Sequence, residues 1–324
     1  MTTLYITIDT EYSSRMARLQ GGRGRQDNFD RSIRCVTPEG EAGIHYQMDI
    51  LDRHGLRAVF FVDPMPSLLW GIEATADVVG PILARGHDVQ LHLHTEWLAL
   101  TGNATPFGAR TGNNIKDFPL DEQCRLLDYG RSVLMAAGAP PPSAFRAGNY
   151  GANDDTLRAL AQLGMSFDTS HPPGIAKSAC DISLGREDRL PRRHCGVIEV
   201  PIGCIGSYGG QPRHAQVTAI SAAEICAALR HANAASVDSF TLVSHSFELL
   251  SRDRTRINRI VRRRFERLCT ALSRMPEMTI GTYAGNPPRL RNEAGPAAIL
   301  PPNLLRTGLR FAEQAFANAL YGAR

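Results

Sequence analysis

Short apolar stretches rich in β-branched and aromatic residues alternate with longer amphipathic ones along the chain. LYITID (4–9), RAVFFVD (57–63), HDVQLHL (87–93), SAFRA (143–147), MSFDTS (165–170), GVIEVPIG (196–203), FTLVSHS (240–246) and EMTIGTY (277–283) predict strands. Between them the spacing predicts helices over 41–54 (closed by Gly55), 74–85, 121–138, 153–164, 221–232 and 255–274, with a polar loop at 100–119. In 255–274, Ile257, Ile260, Val261, Phe265, Leu268 and Leu272 keep helical spacing, which leaves the arginines facing outward. After about residue 284 the chain turns rich in Pro, Ala, Asn and Arg, and a short amphipathic helix is expected at 303–321.

Regular strand–helix alternation implies an α/β fold of parallel strands joined by crossover helices, either doubly wound or a (β/α) barrel. Asp9, His92, Arg146 and His245 each stand at the C-terminal end of a different predicted strand. Several strand ends meeting at one mouth is how barrel enzymes build a site, which favours the barrel.

Two clusters carry candidate chemistry. In GHDVQLHLHTEW (86–97), a two-residue step puts Gln90, His92 and His94 on one strand face. Paired imidazoles repel when protonated and waste packing volume when neutral, so a metal ion is the natural compensation. At the first strand end Asp9 and Glu11 are again two apart, and two carboxylates aimed at one place call for a cation or a shared proton. Asp9 alone could merely cap a turn. Beside the histidines, a carboxylate–imidazole site for zinc or a similar divalent ion is the better reading.

TIDTE, GHDVQLHLHTE, FRAGNYGANDDTLRALAQLG and LVSHS occur in the order, and at roughly the spacing, of the polysaccharide deacetylase (NodB-homology) family, carbohydrate esterase family four. AVFFVD is similar to the strand before its second motif, and the resemblance spans residues 4–283. It implies a distorted (β/α) barrel of about seven parallel strands and metal-dependent removal of an N-acetyl group from a sugar. By the same resemblance Asp9 is the general base, Arg146 the arginine that pairs with it, and His245 the general acid. A backbone N–H of the AGNYG turn, that of Tyr150, would face the developing oxyanion. The pattern departs in two places. Thr10 stands where a metal-binding Asp is usual, with Glu11 one residue later. Glu96 stands where the second motif has its second histidine. Metal ligands would then be Glu11, His92 and either His94 or Glu96, with His94 preferred because a second carboxylate would lower the metal's Lewis acidity. His87 is read as structural, and His45, His54, His171, His194, His214 and His231 as surface or supporting residues.

Composition narrows the setting. A chain of 324 residues with 43% apolar content can bury a core without staples. Residues 1–283 are expected to form the barrel, with an Arg-rich insertion at 13–34, and 284–324 a C-terminal extension. Seven cysteines without a C-x-x-C pair, no long apolar run and no leader pattern point to a cytoplasmic protein. The net charge of +4 hides two arginine clusters, at 15–34 and 252–267, which suggest an anionic partner. The expected substrate is an acetylated, phosphate-bearing cytoplasmic precursor of a surface glycan, as in lipopolysaccharide biosynthesis. An amidohydrolase acting on a small cyclic amide or imide, or a degenerate glycan-binding protein, are the alternatives. No groove-reading or stacking module for nucleic acid is visible. The stripe of Leu304, Leu305, Leu309, Phe316 and Leu320 is expected to pack on the barrel or on a second subunit rather than in lipid, although peripheral membrane attachment stays open.

Overall fold

The computed structural model describes residues 1–102, 106–290 and 298–322. Part of the predicted polar loop (103–105) and parts of the predicted extension (291–297, 323–324) lie outside the described residues. In chain order the strands are β1 (Thr3–Thr10), β2 (Val36–Thr37), β3 (Gly40–Glu41), β4 (Val59–Val62), β5 (Asp88–Leu93), β6 (Ala144–Ala147), β7 (Phe167–Asp168), β8 (Arg192–His194), β9 (Val197–Glu199), β10 (Cys204–Ile205), β11 (Arg213–His214), β12 (Ser239–His245) and β13 (Thr279–Ile280). The helices are α1 (Ser14–Leu19), α2 (Arg25–Asn28), α3 (Ile44–Arg53), α4 (Ser67–Trp70), α5 (Glu73–Ala84), α6 (Leu98–Thr101), α7 (Leu120–Ala136), α8 (Asp154–Gln162), α9 (Ala222–Ala234), α10 (Arg259–Leu272) and α11 (Leu304–Tyr321).

The main sheet runs β12-β1-β4-β5-β6-β7-β9-β8, with β13 on β1. Neighbours from β12 to β9 pair in parallel, and β8 pairs antiparallel with β9. The seven parallel strands from β12 to β9 curl into a barrel whose last gap is spanned by irregular chain. Gly203 N donates to Thr241 O (2.9 Å), and Val243 N to Ala215 O (2.9 Å). The fold is thus the distorted (β/α) barrel that the motifs imply.

The period of two along each strand sorts the side chains. Leu4, Ile6 and Ile8 of β1, with Phe60, Leu91 and Phe145, face the helices in the large outer core. The alternate positions Tyr5, Val59, Phe61 and Ala144 join Phe167, Val200 and Tyr283 in a plug inside the barrel. Continuing the same inward parity toward the strand ends gives Thr7 and Asp9, His92, and Arg146, all nearly inaccessible. The apolar plug is therefore the floor of the site.

Most predicted elements appear within a few residues. α8 starts where Asn153 accepts from Thr156 N (3.0 Å). Three expectations are corrected. The helix predicted from 255 begins at Arg259, because Asp253 instead binds Ser251 and Thr255 in a turn and Asn258 caps the helix. Arg264 does not face outward; it is 3% exposed, pairs with Glu313 (2.8 Å) and donates to Val217 O (2.8 Å). The apolar stripe of α11 does not pack on the barrel: Leu304, Leu305, Leu309, Phe316 and Leu320 are all exposed. Residues 13–34 form a packed insertion, in which Arg25 pairs with Asp77, Arg31 with Asp27, and Arg34 with Asp30 and Glu41. No helix among the described residues is long and apolar enough to cross a membrane.

Candidate active site

β1 ends at Thr10, and Glu11 follows it into the mouth; β5 ends at Leu93, and His94 follows in the same way. This brings Glu11, His92 and His94 together, with one potential ligand atom from each lying within 4.8 Å of the others. His92 Nε2 and His94 Nε2 are 3.1 Å apart, and Glu11 Oε2 lies 3.7 Å from the first and closer still to the second.

The far side of each ring explains why the Nε2 atoms point inward. His92 Nδ1 is 2.7 Å from Arg146 O, and a carbonyl only accepts, so Nδ1 carries the proton. His94 Nδ1 is 2.9 Å from Glu96 Oε1, which calls for the same tautomer. Both rings therefore turn Nε2 to one point, in the manner of carboxylate- or carbonyl-oriented metal ligands, and a metal there would take the place of the proton that His94 shares with Glu11. Glu96, the alternative ligand in sequence terms, is turned to the back of His94.

The charges agree with that layout. Burial works to raise the Glu11 carboxyl, but the adjacent His94 and His92 hold it well below the usual range. Burial works to lower His94, and the carboxylates of Glu11 and Glu96 overcome it, leaving the imidazole well above its ordinary value. Asp63, just beyond β4, is raised to about 6 by burial against the pull of both histidines, and its Oδ2 is buried without a partner. Two imidazole nitrogens and one carboxylate oxygen are a donor set that fits a divalent ion of the zinc class.

Beside this corner stand two charged pairs. Arg146 Nη1 lies 2.5 Å from Asp9 Oδ1 and 2.9 Å from Thr7 Oγ1, while its guanidinium covers the Phe61 ring at 4.3 Å. Burial pushes the Asp9 carboxyl up; Arg146, aided by His92 and His245, more than offsets this and holds it below its ordinary value. His245 is the register partner of Asp9 across β1 and β12. Its Nδ1 is 2.7 Å from Glu248 Oε2. Burial alone would depress the His245 pKa, but Glu248, with help from Asp9 and Glu11, raises it to about 9.

The AGNYG turn follows β6. Asn149 and Tyr150 both have positive φ (56° and 59°). Tyr150 places its hydroxyl 3.0 Å from His214 Nε2. Gly148 is required by contact: a Cβ there would lie 2.7 Å from His94 Nδ1. His214 is buried and held near 4 by desolvation, with Arg146 and His245 adding to the effect. His87 is buried too, and its Nδ1 accepts from Ala58 N (3.2 Å). His194 lies outside the site, in a second trio with Asp154 and Cys195, where Asp154 is already bonded to Ser183.

Sequence reasoning missed three residues. Glu248 takes hydrogen bonds from Thr218 N (3.1 Å) and Gln216 Nε2 (3.0 Å) as well as from His245. The spacing H-S-F-E offered a signal for it. Asp63 closes the apolar run AVFFVD, whose pattern signals a strand and no chemistry. Arg254 was submerged in an arginine run. It has φ 58°, lies 3.7 Å over the Phe247 ring, and has no carboxylate partner among the described residues. Phe247 in turn stacks on His245 at 5.2 Å.

No family model and no curated protein matches the chain. Solved structures do. A candidate polysaccharide deacetylase from Mycobacterium smegmatis matches over 90% of this chain and 94% of its own, at 14% identity and a TM-score of 0.52. The 4-alpha-glucanotransferase from Thermococcus litoralis matches over 87% of this chain and 39% of its own, at 9% identity and a TM-score of 0.51. A family 4 carbohydrate esterase from Streptomyces lividans, solved with acetate, covers 92% of this chain and 98% of its own, at 11% identity and a TM-score of 0.43. The first two establish a shared barrel fold. Their names describe different reactions, so the chemistry has to be argued from the site.

Proposed function

We propose that this chain is a metal-dependent sugar N-deacetylase, a divergent member of the polysaccharide deacetylase family. The observation that carries the reading is the convergence of Glu11, His92 and His94 beside the Asp9–Arg146 and His245–Glu248 pairs at one barrel mouth. A divalent cation held by Glu11, His92 and His94 would polarise the acetyl carbonyl and lower the pKa of water.

Asp9, kept ionised by Arg146, accepts the proton of the attacking water on its second oxygen. Arg146 fixes the orientation of that carboxylate without moving a proton itself. Water oxygen bonds to the acetyl carbon, and the C–N bond then breaks. His245, protonated at neutral pH and with Nδ1 tied to Glu248, gives the proton on Nε2 to the departing nitrogen. Acetate and a free amine result. In this reading a backbone N–H of the AGNYG turn, that of Tyr150, would donate to the carbonyl oxygen as it gains charge.

The substrate in this reading is an acetylated sugar carrying phosphate, met in the cytoplasm as a precursor of a surface glycan. Arg254 supports the anionic part: a guanidinium without a carboxylate partner, standing on the aromatic ring that stacks on His245. The test is acetate release by the zinc-loaded chain from N-acetylated sugars, with and without a phosphate group. The proposal expects chelator-sensitive release, with a preference for the phosphorylated sugar that weakens in Arg254→Ala. Ring-opened product from cyclic imides without acetate release would contradict it.

A further inference from the structure

Helix α11 is docked inside out. Its polar side faces the protein: Arg310 pairs with Glu224 (3.0 Å), Glu313 with Arg264 (2.8 Å), and Gln314 reaches Ala219 O (3.2 Å). Glu224 and Arg264 are both nearly inaccessible, so the barrel offers this helix buried charges, not an apolar groove. The outward half holds Leu304, Leu305, Leu309, Phe311, Phe316 and Leu320, between 56% and 78% exposed. Gly308, Ala312, Ala315 and Ala319 fill the space between them and are exposed as well. At 100° per residue these positions span about half the helix circumference without a charge. An uninterrupted apolar face of this kind marks an interaction site.

We infer that this face lies in the surface of an anionic lipid bilayer, with the barrel held against the membrane by α11. Three features choose this occupant. The arc is too wide for one partner helix, since a helix-pairing seam is a narrow stripe. Residues 291–297, RNEAGPA, contain no large apolar side chain that could cover it. The rim is basic on balance: Arg252 and Arg256, with the exposed Asp253 between them, meet the C-terminal end of α11 (Arg252 N to Tyr321 O, 3.0 Å; Arg256 Nη2 to Leu320 O, 3.0 Å). Arg306 on α11 itself, and exposed Arg263 and Arg267 on the adjoining α10, have no carboxylate partner among the described residues. Two copies meeting through this face would bring like charges together, whereas anionic headgroups complement them.

The experiment is co-sedimentation of the full chain with phosphatidylcholine vesicles, with and without phosphatidylglycerol. The expected result is binding to the anionic vesicles that weakens as salt rises. Leu309→Glu with Phe316→Glu should lower it roughly hundredfold, with the thermal midpoint unchanged because both side chains are exposed. Arg263→Ala and Arg306→Ala should each lower it about fivefold. Failure to sediment with either vesicle overturns the inference. So does a dimer, seen by light scattering, that Leu309→Glu with Phe316→Glu splits, because a second copy would then cover the face. The readout involves no catalysis, so it stands or falls separately from the deacetylase reading.

Discussion

Replacing Glu248 by glutamine keeps the volume and one hydrogen-bonding oxygen but removes the charge that faces His245 Nδ1 at 2.7 Å. With Glu248 present the His245 pKa is raised to about 9, so the acid form needed to protonate a leaving amine persists through neutral pH and is lost as pH rises through that value. Without the carboxylate the imidazole should fall to its ordinary value of about 6.5 or lower, since burial then acts with less opposition. A fall of that size corresponds to on the order of 3 kcal/mol, an upper figure because the side chain is 25% exposed and water screens part of the interaction. The protonated fraction at about pH 8 would drop roughly thirtyfold, whereas at about pH 6 the two proteins should differ by less than about twofold. The assay is the ratio of variant to wild-type kcat/KM for acetate release across pH, in which titrations common to both proteins cancel. A basic limb moved downward, with the variant recovering on acidification, is the expected result. An equal loss at every pH would refute the reasoning and reduce Glu248 to a packing role.

Three further outcomes follow from the same geometry. Gly148→Ala puts a Cβ 2.7 Å from His94 Nδ1, which must push the ring off its position; zinc affinity measured by competition with a chelating dye should fall by about 10–100-fold, and the overpacking should cost about 1–3 kcal/mol of stability in urea unfolding. Glu96→Gln should weaken zinc by a similar or smaller factor while leaving one equivalent bindable, whereas a Glu96 that is itself a ligand would cost far more. Asp9→Asn should lower kcat by about 10²–10⁴, and should also destabilise the fold by about 3–5 kcal/mol in urea unfolding, because Arg146, 0% exposed, is left without its counter-charge.

The barrel and most of the site were legible because inward parity and strand ends are properties of local sequence. Asp9, His92, Arg146 and His245 could be put at strand ends from the alternation of apolar and polar residues, whereas the roles expected of them rested on the resemblance of the ordered motifs. Glu11 and His94, one residue beyond their strands, were reachable by the two-residue step. What pairing does across the barrel was not legible. Glu248 owes its position to Thr218 and Gln216, which come from a different loop some thirty residues away. The choice between His94 and Glu96 turned on which side of the imidazole each group occupies, and spacing carries no such information. Periodicity revealed that α11 is amphipathic but not which face it buries. That was decided by Glu224 and Arg264, two buried charges on other elements whose need for partners outweighs the gain from covering leucines. The arginine of 254 was lost for the opposite reason: seven other arginines lie within fifteen residues of it, and only its place over Phe247 sets it apart.

The central claim is that Glu11, His92 and His94 hold a single divalent cation. It is tested most directly by metal content, measured by atomic emission on the zinc-equilibrated and desalted chain and on Glu11→Gln, His92→Ala and His94→Ala. The account predicts one equivalent of zinc in the parent and little in each of the three variants, all of them folded by circular dichroism. A parent that retains no metal, or three variants that retain it in full, would contradict it.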